Sequence, residues 1–316
     1  MAEPQRLRAS VCIPTHNRAD ILRQTLESLN HQSVSRDRFQ VVVGDDASTD
    51  RTLTMLQEFP ANFDLRWAPA KARGAGAARN AAARLATHEV LIFLDDDQVT
   101  TPGLVAAHLE AQERGGTVAV QGDYPLAPGR DRSGATLIYE RARSTCMGAG
   151  HHGGVSCHLW GANFSIRRET WVAVGGFDEN LPRNQDLEFG LRLADLGVPL
   201  LDAPQALSYH LHGVTIAGLQ RQSFDMGRCY VRISRKRGVT VEALLGSPLD
   251  RKLDRMASRL WLRSARFARA VGRTASSLLW AADRLEYRPA QFFLARVLRR
   301  FHMLGGIALE TASGRP

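Results

Sequence analysis

The sequence predicts an α/β fold: a mostly parallel sheet flanked by helices, followed by a C-terminal helical segment. Three observations carry that expectation. Short apolar runs alternate with amphipathic helical stripes along the first half of the chain. The runs are near-continuously hydrophobic, as strands covered on both faces must be. Lys and Arg are concentrated towards the C-terminus. With 316 residues, 44% of them hydrophobic, the chain can bury one large core or two smaller ones and is not a disordered protein.

The elements follow in order. ASVCI, ending at Pro14, reads as the first strand, and DILRQTLESLNHQ places Ile21, Leu22, Leu26 and Leu29 on one helical face. FQVVVG is the second strand, and TDRTLTMLQEF the second helix, with Leu53, Leu56 and Phe59 in register. DLRW is a candidate third strand, GAARNAAARLATH an alanine-rich helix, and VLIFL a strand running into Asp95, Asp96 and Asp97. Thr101 and Pro102 supply an N-cap and an N1 proline for GLVAAHLEAQERG, which stops at Gly115 and Gly116. TVAVQG follows as another strand.

The net charge of +9 is local. Ser247 to Pro316 holds 14 Lys and Arg against 5 Asp and Glu, so the preceding residues are neutral as a set. The shift in composition, beside the turn residues Gly246, Ser247 and Pro248, divides the chain into a first domain, 1–246, and a basic amphipathic helical segment, 247–316. In that segment Arg255, Arg259, Arg263, Arg266 and Arg273 form one helical stripe, and Leu253, Met256, Leu260, Phe267 and Val271 another. Two readings stand: a helix lying on an anionic membrane surface, or a helical hairpin packed on the first domain with its arginines in water. Nucleic acid is not expected as a partner, because the aromatic and glycine patterns of RNA-binding modules are absent. Cys12, Cys146, Cys157 and Cys229 lack C-x-x-C spacing, so neither a zinc cluster nor a disulfide framework is expected. No apolar run reaches the roughly 20 residues of a membrane span, and the first ten residues lack a signal-peptide hydrophobic region. The expectation is a cytoplasmic protein, peripheral at the inner face of the membrane under the first reading.

In open α/β sheets ligands sit outside the carboxyl ends of the strands. Here the first strand ends at PTHNR, the second at Asp45 and Asp46, and the fourth at Asp95, Asp96 and Asp97. Adjacent carboxylates raise one another's pKa unless a hard cation or a hydrogen-bond network neutralises them. A short acidic run suits Mg2+ or Mn2+, which take further ligands from phosphate and water. A lone acidic run also reads as a solvated turn, but acidic ends on two strands favour a site.

Several motifs in order resemble the inverting nucleotide-sugar transferases of glycosyltransferase family 2, with the GT-A fold. The resemblance spans about Ala9 to Gly213: VCIPTHNR is similar to the opening strand, VVVGDDASTD to the nucleoside-binding segment, GAGAARNAAA to the segment that places an arginine near the diphosphate, and FLDDDQ to the D-x-D motif. GANFSIRRETWVAVGGFDENLPRNQDLEFGLRL resembles the acceptor side, with Gln185 where the family usually has glutamate, and YHLHG the place where some members supply a histidine to the metal.

The resemblance implies that Thr15 and Asp45 contact base and ribose, with Asp46 close by, and that Arg79 faces the diphosphate. Asp95, Asp96 and Asp97 would form the D-x-D motif, with Asp97 as direct metal ligand and Asp95 nearer the ribose or a bound water. His210, or alternatively His212, would add a metal ligand, and Asp186 would be the catalytic base. Trp160 and Asn163 would line the sugar or acceptor pocket, with plain core as the competing role for Trp160. The implied cofactor is Mn2+ or Mg2+. The implied donor is a nucleoside-diphosphate sugar, a UDP-sugar first, and the acceptor a hydroxyl of a glycan, a lipid-linked or a small molecule.

The chemistry asks for these residue types independently. Negative charge grows on the departing diphosphate, where a divalent ion and an arginine stabilise it. The acceptor hydroxyl needs a carboxylate to take its proton, and a single displacement then inverts the anomeric centre. Asp186 opens the helix DLEFGLRLADLG, whose Leu187, Leu191, Leu193 and Ala194 can pack inward, although an ordinary N-cap aspartate would look the same. The runner-up is a metal-dependent nucleotidyltransferase, which would want glycines after the first strand where IPTHNRAD has none. A degenerate surface-binding protein is the non-enzymatic reading. GAGAAR imitates a dinucleotide fingerprint, but Arg79 stands at its third glycine, which excludes a Rossmann oxidoreductase. GAGHHGGVSCHLWG, with His151, His152 and His158, reads as a loop over the acceptor.

Overall fold

The computed structural model describes residues 6–129, 132–148, 159–211, 213–249 and 251–314. The chain divides into two compact units, Met1–Pro128 with Ser144–His212, and Gly129–Arg143 with Gly213–Pro316. That division falls elsewhere than the composition boundary near Gly246, since the second unit takes in the long helix that follows Gly213. The charge shift marks where arginines accumulate, whereas the packing boundary is set by which helix faces meet.

In chain order the elements through the first unit are β1 (Ala9–Thr15), α1 (Ala19–Leu29), β2 (Phe39–Asp45), α2 (Thr52–Glu58), β3 (Asp64–Pro69), α3 (Ala75–Leu85), β4 (Val90–Leu94), β5 (Gln98–Thr100), α4 (Leu104–Gly115) and β6 (Ala119–Asp123). After α5 (Gly134–Gly148) come β7 (Asn163–Arg167), α6 (Arg168–Val174), α7 (Gln185–Asp195) and β8 (Leu200–His210). The strand order is β3-β2-β1-β4-β7-β6-β8-β5. β1 to β4 pair in parallel, as the βαβα order requires, and so do β6 and β8. β7 departs from the parallel expectation, running antiparallel to both β4 and β6, and β5 runs antiparallel to β8.

Alternation along the strands feeds two cores. Val11, Ile13, Val41, Val43, Ile92 and Leu94 pack with Leu22 and Leu26 of α1. Cys12, Val42, Leu91 and Phe93 face the other way, towards Ala82, Phe164 and Phe189. The alanine-rich α3 lies so close to the sheet that a Cβ on Gly44 of β2 would come within 1.9 Å of the Ala78 carbonyl oxygen. A buried polar chain crosses the middle of the sheet, with His108 Nδ1 3.0 Å from Ser165 Oγ and Nε2 2.9 Å from Asn163 Oδ1.

Three local expectations change. Leu53 of α2 is exposed, and Met55 joins Leu56 and Phe59 inside. α4 begins at Leu104, with the Thr101 carbonyl accepting from its N–H and the Thr101 hydroxyl donating to the Leu207 carbonyl, so Thr101 is no side-chain cap. Ala194 of α7 faces solvent, while Phe189, Leu191 and Leu193 are buried.

The second unit is helical: α8 (Ile216–Arg237), α9 (Val241–Leu245), α10 (Lys252–Arg263), α11 (Ala265–Arg284) and α12 (Arg288–Ser313). α8 and α12 approach backbone to backbone, because a Cβ on Gly227 would sit 2.1 Å from the Met303 carbonyl oxygen and one on Gly306 would sit 2.0 Å from that of Phe224. Ser264 interrupts the basic segment: extended at φ −159°, it caps α11 by accepting from the Phe267 N–H. The core contains Trp261, Ala268, Leu279, Ala295 and Leu298. Leu253, Met256, Phe267 and Val271, the residues of the apolar stripe apart from Leu260, are exposed.

Candidate active site

Thr15, Asp45 and the run from Asp95 stand together at the carboxyl ends of β1, β2 and β4, since Thr15 is in register with Asp45 and β1 pairs with β4. The acidic run is neutralised by the protein in two halves. Arg79, buried on α3, donates to Asp95 Oδ1 at 2.6 Å. Arg18, just before α1, pairs through Nη1 with Asp96 Oδ1 at 2.9 Å and through Nη2 with Asp97 Oδ2 at 2.8 Å. Asp96 also accepts from Thr15 Oγ1 at 2.8 Å, and its backbone carbonyl accepts from Thr25 Oγ1.

These environments push the neighbours apart. Burial raises the Asp96 carboxyl to about 7, against the opposing pull of Arg18 and Thr15. Burial also disfavours charge on Asp97, but His210 and Arg18 outweigh it and hold that carboxyl well below the usual range.

The β5–β8 ladder places His210. Gln98 is in register with His210, and the Leu211 N–H donates to the Asp97 carbonyl at 2.7 Å, so the imidazole arrives beside the acidic run. His210 Nε2 lies 3.1 Å from Asp97 Oδ1, both side chains being almost wholly buried. An octahedral Mg2+ or Mn2+ with ligands at about 2.1 Å sets neighbouring ligand atoms about 3 Å apart, so this pair fits two adjacent positions of such a shell. Among the described residues no three His, Cys, Asp or Glu side chains converge on a metal position. The pair therefore fits a cation that completes its shell from phosphate and water. Asp95, expected nearer the ribose or a bound water, is paired with Arg79.

Asp45 is buried and accepts from the Ser48 N–H, while Asp46 accepts through Oδ2 from the Gly74 N–H at 2.9 Å, tying the end of β2 to the start of α3. Asp186 reaches the same region through the segment Trp160–Ala162. Its Oδ2 accepts from the Gly161 N–H at 3.1 Å, and the Ala162 carbonyl accepts from the Asp95 N–H at 3.1 Å. A Cβ on Gly161 would lie 3.2 Å from Asp186 Cβ and 3.7 Å from Arg79 Cζ, so both side chains approach Gly161. The half-buried Trp160 is tilted against Tyr124 with ring centroids 6.4 Å apart, and Tyr124 stands edge-on to His210.

Asn163, expected at the sugar or acceptor pocket, and Gln185, which replaces the family's usual glutamate, are both held within the scaffold. Asn163 is wholly buried: its amide nitrogen donates to the Asp123 and Ala206 carbonyls and its oxygen faces His108, so it lines no pocket. Gln185 is buried and donates to the Leu181 carbonyl at 2.7 Å, bracing the turn into α7. His212, His151, His152 and His158 lie outside the described residues. Sequence reasoning missed Arg18 and Gly161. The NR of PTHNR was visible, but nothing in it said which carboxylate the arginine would reach.

The α/β scaffold that carries these residues is one that solved structures share. The mannosyltransferase PcManGT from Pyrobaculum calidifontis, in complex with GDP-Man and Mn2+, matches with a TM-score of 0.61 at 22% identity, over 92% of this chain and 86% of that one. TarS 1-349 of S. aureus, in complex with UDP-GlcNAc, matches with a TM-score of 0.54 at 16% identity, over 98% and 93%. The fold is the GT-A type of those transferases. The sequence pattern described as Glycosyl transferase family 2 matches residues 10–171, over half of the chain, and the chain belongs to that family. The uncharacterized glycosyltransferase YfnE of Bacillus subtilis (strain 168) is 40% identical over 117 residues, 37% of this chain and 30% of its own length. The validoxylamine A glucosyltransferase of Streptomyces hygroscopicus subsp. jinggangensis (strain 5008) is 28% identical over 220 residues, 60% of this chain and 52% of its own length. The chain thus spans about half or less of the length of these curated relatives.

Proposed function

We propose that this chain is an inverting, divalent-metal-dependent glycosyltransferase that moves a sugar from a nucleoside-diphosphate sugar, a UDP-sugar first, to a hydroxyl of a glycan, a lipid-linked or a small-molecule acceptor. The observation that carries the reading is that Asp186 and Arg79, the partner of Asp95, both approach Gly161. It brings a carboxylate and a cation close to one small-residue turn, the two kinds of group that a displacement at an anomeric carbon requires.

In this reading Asp45 and Thr15 hold the nucleoside and Asp46 keeps the strand end in place. Arg79 turns from Asp95 to the diphosphate as a charge-assisted donor. Asp97 and His210 would hold Mn2+ or Mg2+, which as a Lewis acid offsets charge on the departing diphosphate. Asp186 takes the proton of the acceptor hydroxyl as it attacks. Trp160 offers its ring to the sugar or acceptor. A lipid-linked acceptor would be met at the inner face of an anionic membrane, a location that the basic C-terminal unit supports.

Calorimetric titration of UDP, GDP, dTDP and CDP, each with Mn2+ and again with a chelator, tests the reading. Selective, metal-dependent binding of one diphosphate names the donor, and Asp97→Ala weakens that binding. No binding of any of the four sinks the proposal.

A further inference from the structure

α11 buries one large apolar residue, Leu279, and exposes the others. Ala268, Gly272, Leu279 and Ala282 form its buried face. Phe267, Val271 and Leu278, continued by Leu285 just past the helix end, are 59%, 38%, 56% and 78% exposed. At 100° per residue these four, with Thr274, fall within about 60° of arc, a stripe running the length of the helix. Arg266, Arg269, Arg273 and Arg284 fall within a second arc of about 60°. Between the two stripes lie only small uncharged residues, Ala270, Ser277 and Ala281. The solvent-facing arc thus runs from apolar, through small and neutral, to cationic.

Two acids of this region are engaged within the unit, and Glu286, just past the helix end, is the exposed one. Asp254 of α10 is buried against Arg300, which donates to both of its oxygens. Asp283 of α11 accepts from the Gly134 N–H and from Gln291 Nε2. Arg284 lies over the exposed Trp280 ring at 5.1 Å, an amphipathic pair suited to a headgroup layer.

We propose that α11 docks the protein on an anionic lipid bilayer, lying in the plane of the interface with Phe267, Val271, Leu278 and Leu285 in the acyl boundary and its arginines on lipid phosphates. Charge complementarity selects this occupant: a soluble apolar partner has no use for the arginine stripe, and a polyanion has none for the apolar one. Among the described residues no helix is long and apolar enough to cross a membrane, so the helix lies on the surface. The inference is independent of the chemistry assigned to the carboxylate site.

The test is flotation of the full chain with vesicles of phosphatidylcholine alone and of phosphatidylcholine with added phosphatidylglycerol. Binding is expected only to the second kind, and is weakened by high salt. Phe267→Ser with Leu278→Ser, and separately Arg266→Glu with Arg269→Glu and Arg273→Glu, should each lower the partition coefficient at least about tenfold. Both substituted sets are on exposed positions, and an unchanged melting curve shows that the fold is intact. No binding to the anionic vesicles overturns the proposal, as does binding that survives the serine substitutions. A dimer in light scattering that those serines dissolve, without vesicle binding, would assign the face to a second copy of the chain instead.

Discussion

Arg18 Nη2 donates to Asp97 Oδ2 at 2.8 Å while its Nη1 holds Asp96, so one guanidinium occupies the cationic position beside the carboxylate that faces His210. A cation arriving at Asp97 must share it with this arginine. Arg18→Gln is therefore expected to raise the affinity for Mn2+ alone, measured by calorimetry without nucleotide. The same change leaves the buried Asp96 short of a partner and should lower stability by about 1–3 kcal/mol. Unchanged or weaker Mn2+ binding would show that Arg18 orients Asp97 and does not compete for it.

Asp186→Asn keeps the hydrogen bond from the Gly161 N–H but cannot take a proton. Turnover should fall by about 10²- to 10⁴-fold with nucleoside-diphosphate affinity unchanged. Full turnover would remove Asp186 from the mechanism.

Gly44→Ala forces a methyl to within 1.9 Å of the Ala78 carbonyl and must push α3 off the sheet. A loss of about 3 kcal/mol or more in a denaturant titration is expected. Gly103→Ala, with nothing within 4 Å of the added carbon and an ordinary φ, should cost less than about 1 kcal/mol.

His108 supplies the pH dependence. Its burial lowers the imidazole to about 4, with the Asn163 hydrogen bond opposing the shift, whereas the unfolded chain protonates it near 6.5. The folded state thus resists a proton that the unfolded state accepts. His108 contributes its full stabilisation above pH 6.5, and loses up to about 3 kcal/mol as the pH falls to about 4. Urea titrations of the wild type and His108→Gln across that range should show the difference between them shrinking on acidification. A constant difference would mean that the imidazole is not held neutral.

Much of the first unit was legible because burial imposes a local period. VLIFL, FQVVVG and the stripe of Leu22, Leu26 and Leu29 could each be placed from their own neighbours, and the carboxyl ends of the strands then located Asp45 and the Asp95–Asp97 run. β7 and β8 escaped because they are half-polar along their length, and their place depends on partners far away in sequence. Asn163 looked like a pocket residue for the same reason: only the antiparallel register with Leu94 puts its amide inside the sheet.

The sequence by itself therefore determined the α/β order, the acidic strand ends, the basic C-terminus and the motifs of the family, since periodicity, charge and spacing are local properties of the chain. Tertiary structure alone decided that Asp97 meets His210, that Asp95 and Asp97 answer to different arginines, that the second unit joins Gly129–Arg143 to Gly213–Pro316, and that the apolar stripe of α11 faces outward. Those outcomes are settled by strand register and by which of several apolar faces wins a partner. Both are long-range competitions, and they have no signature in any short stretch of residues.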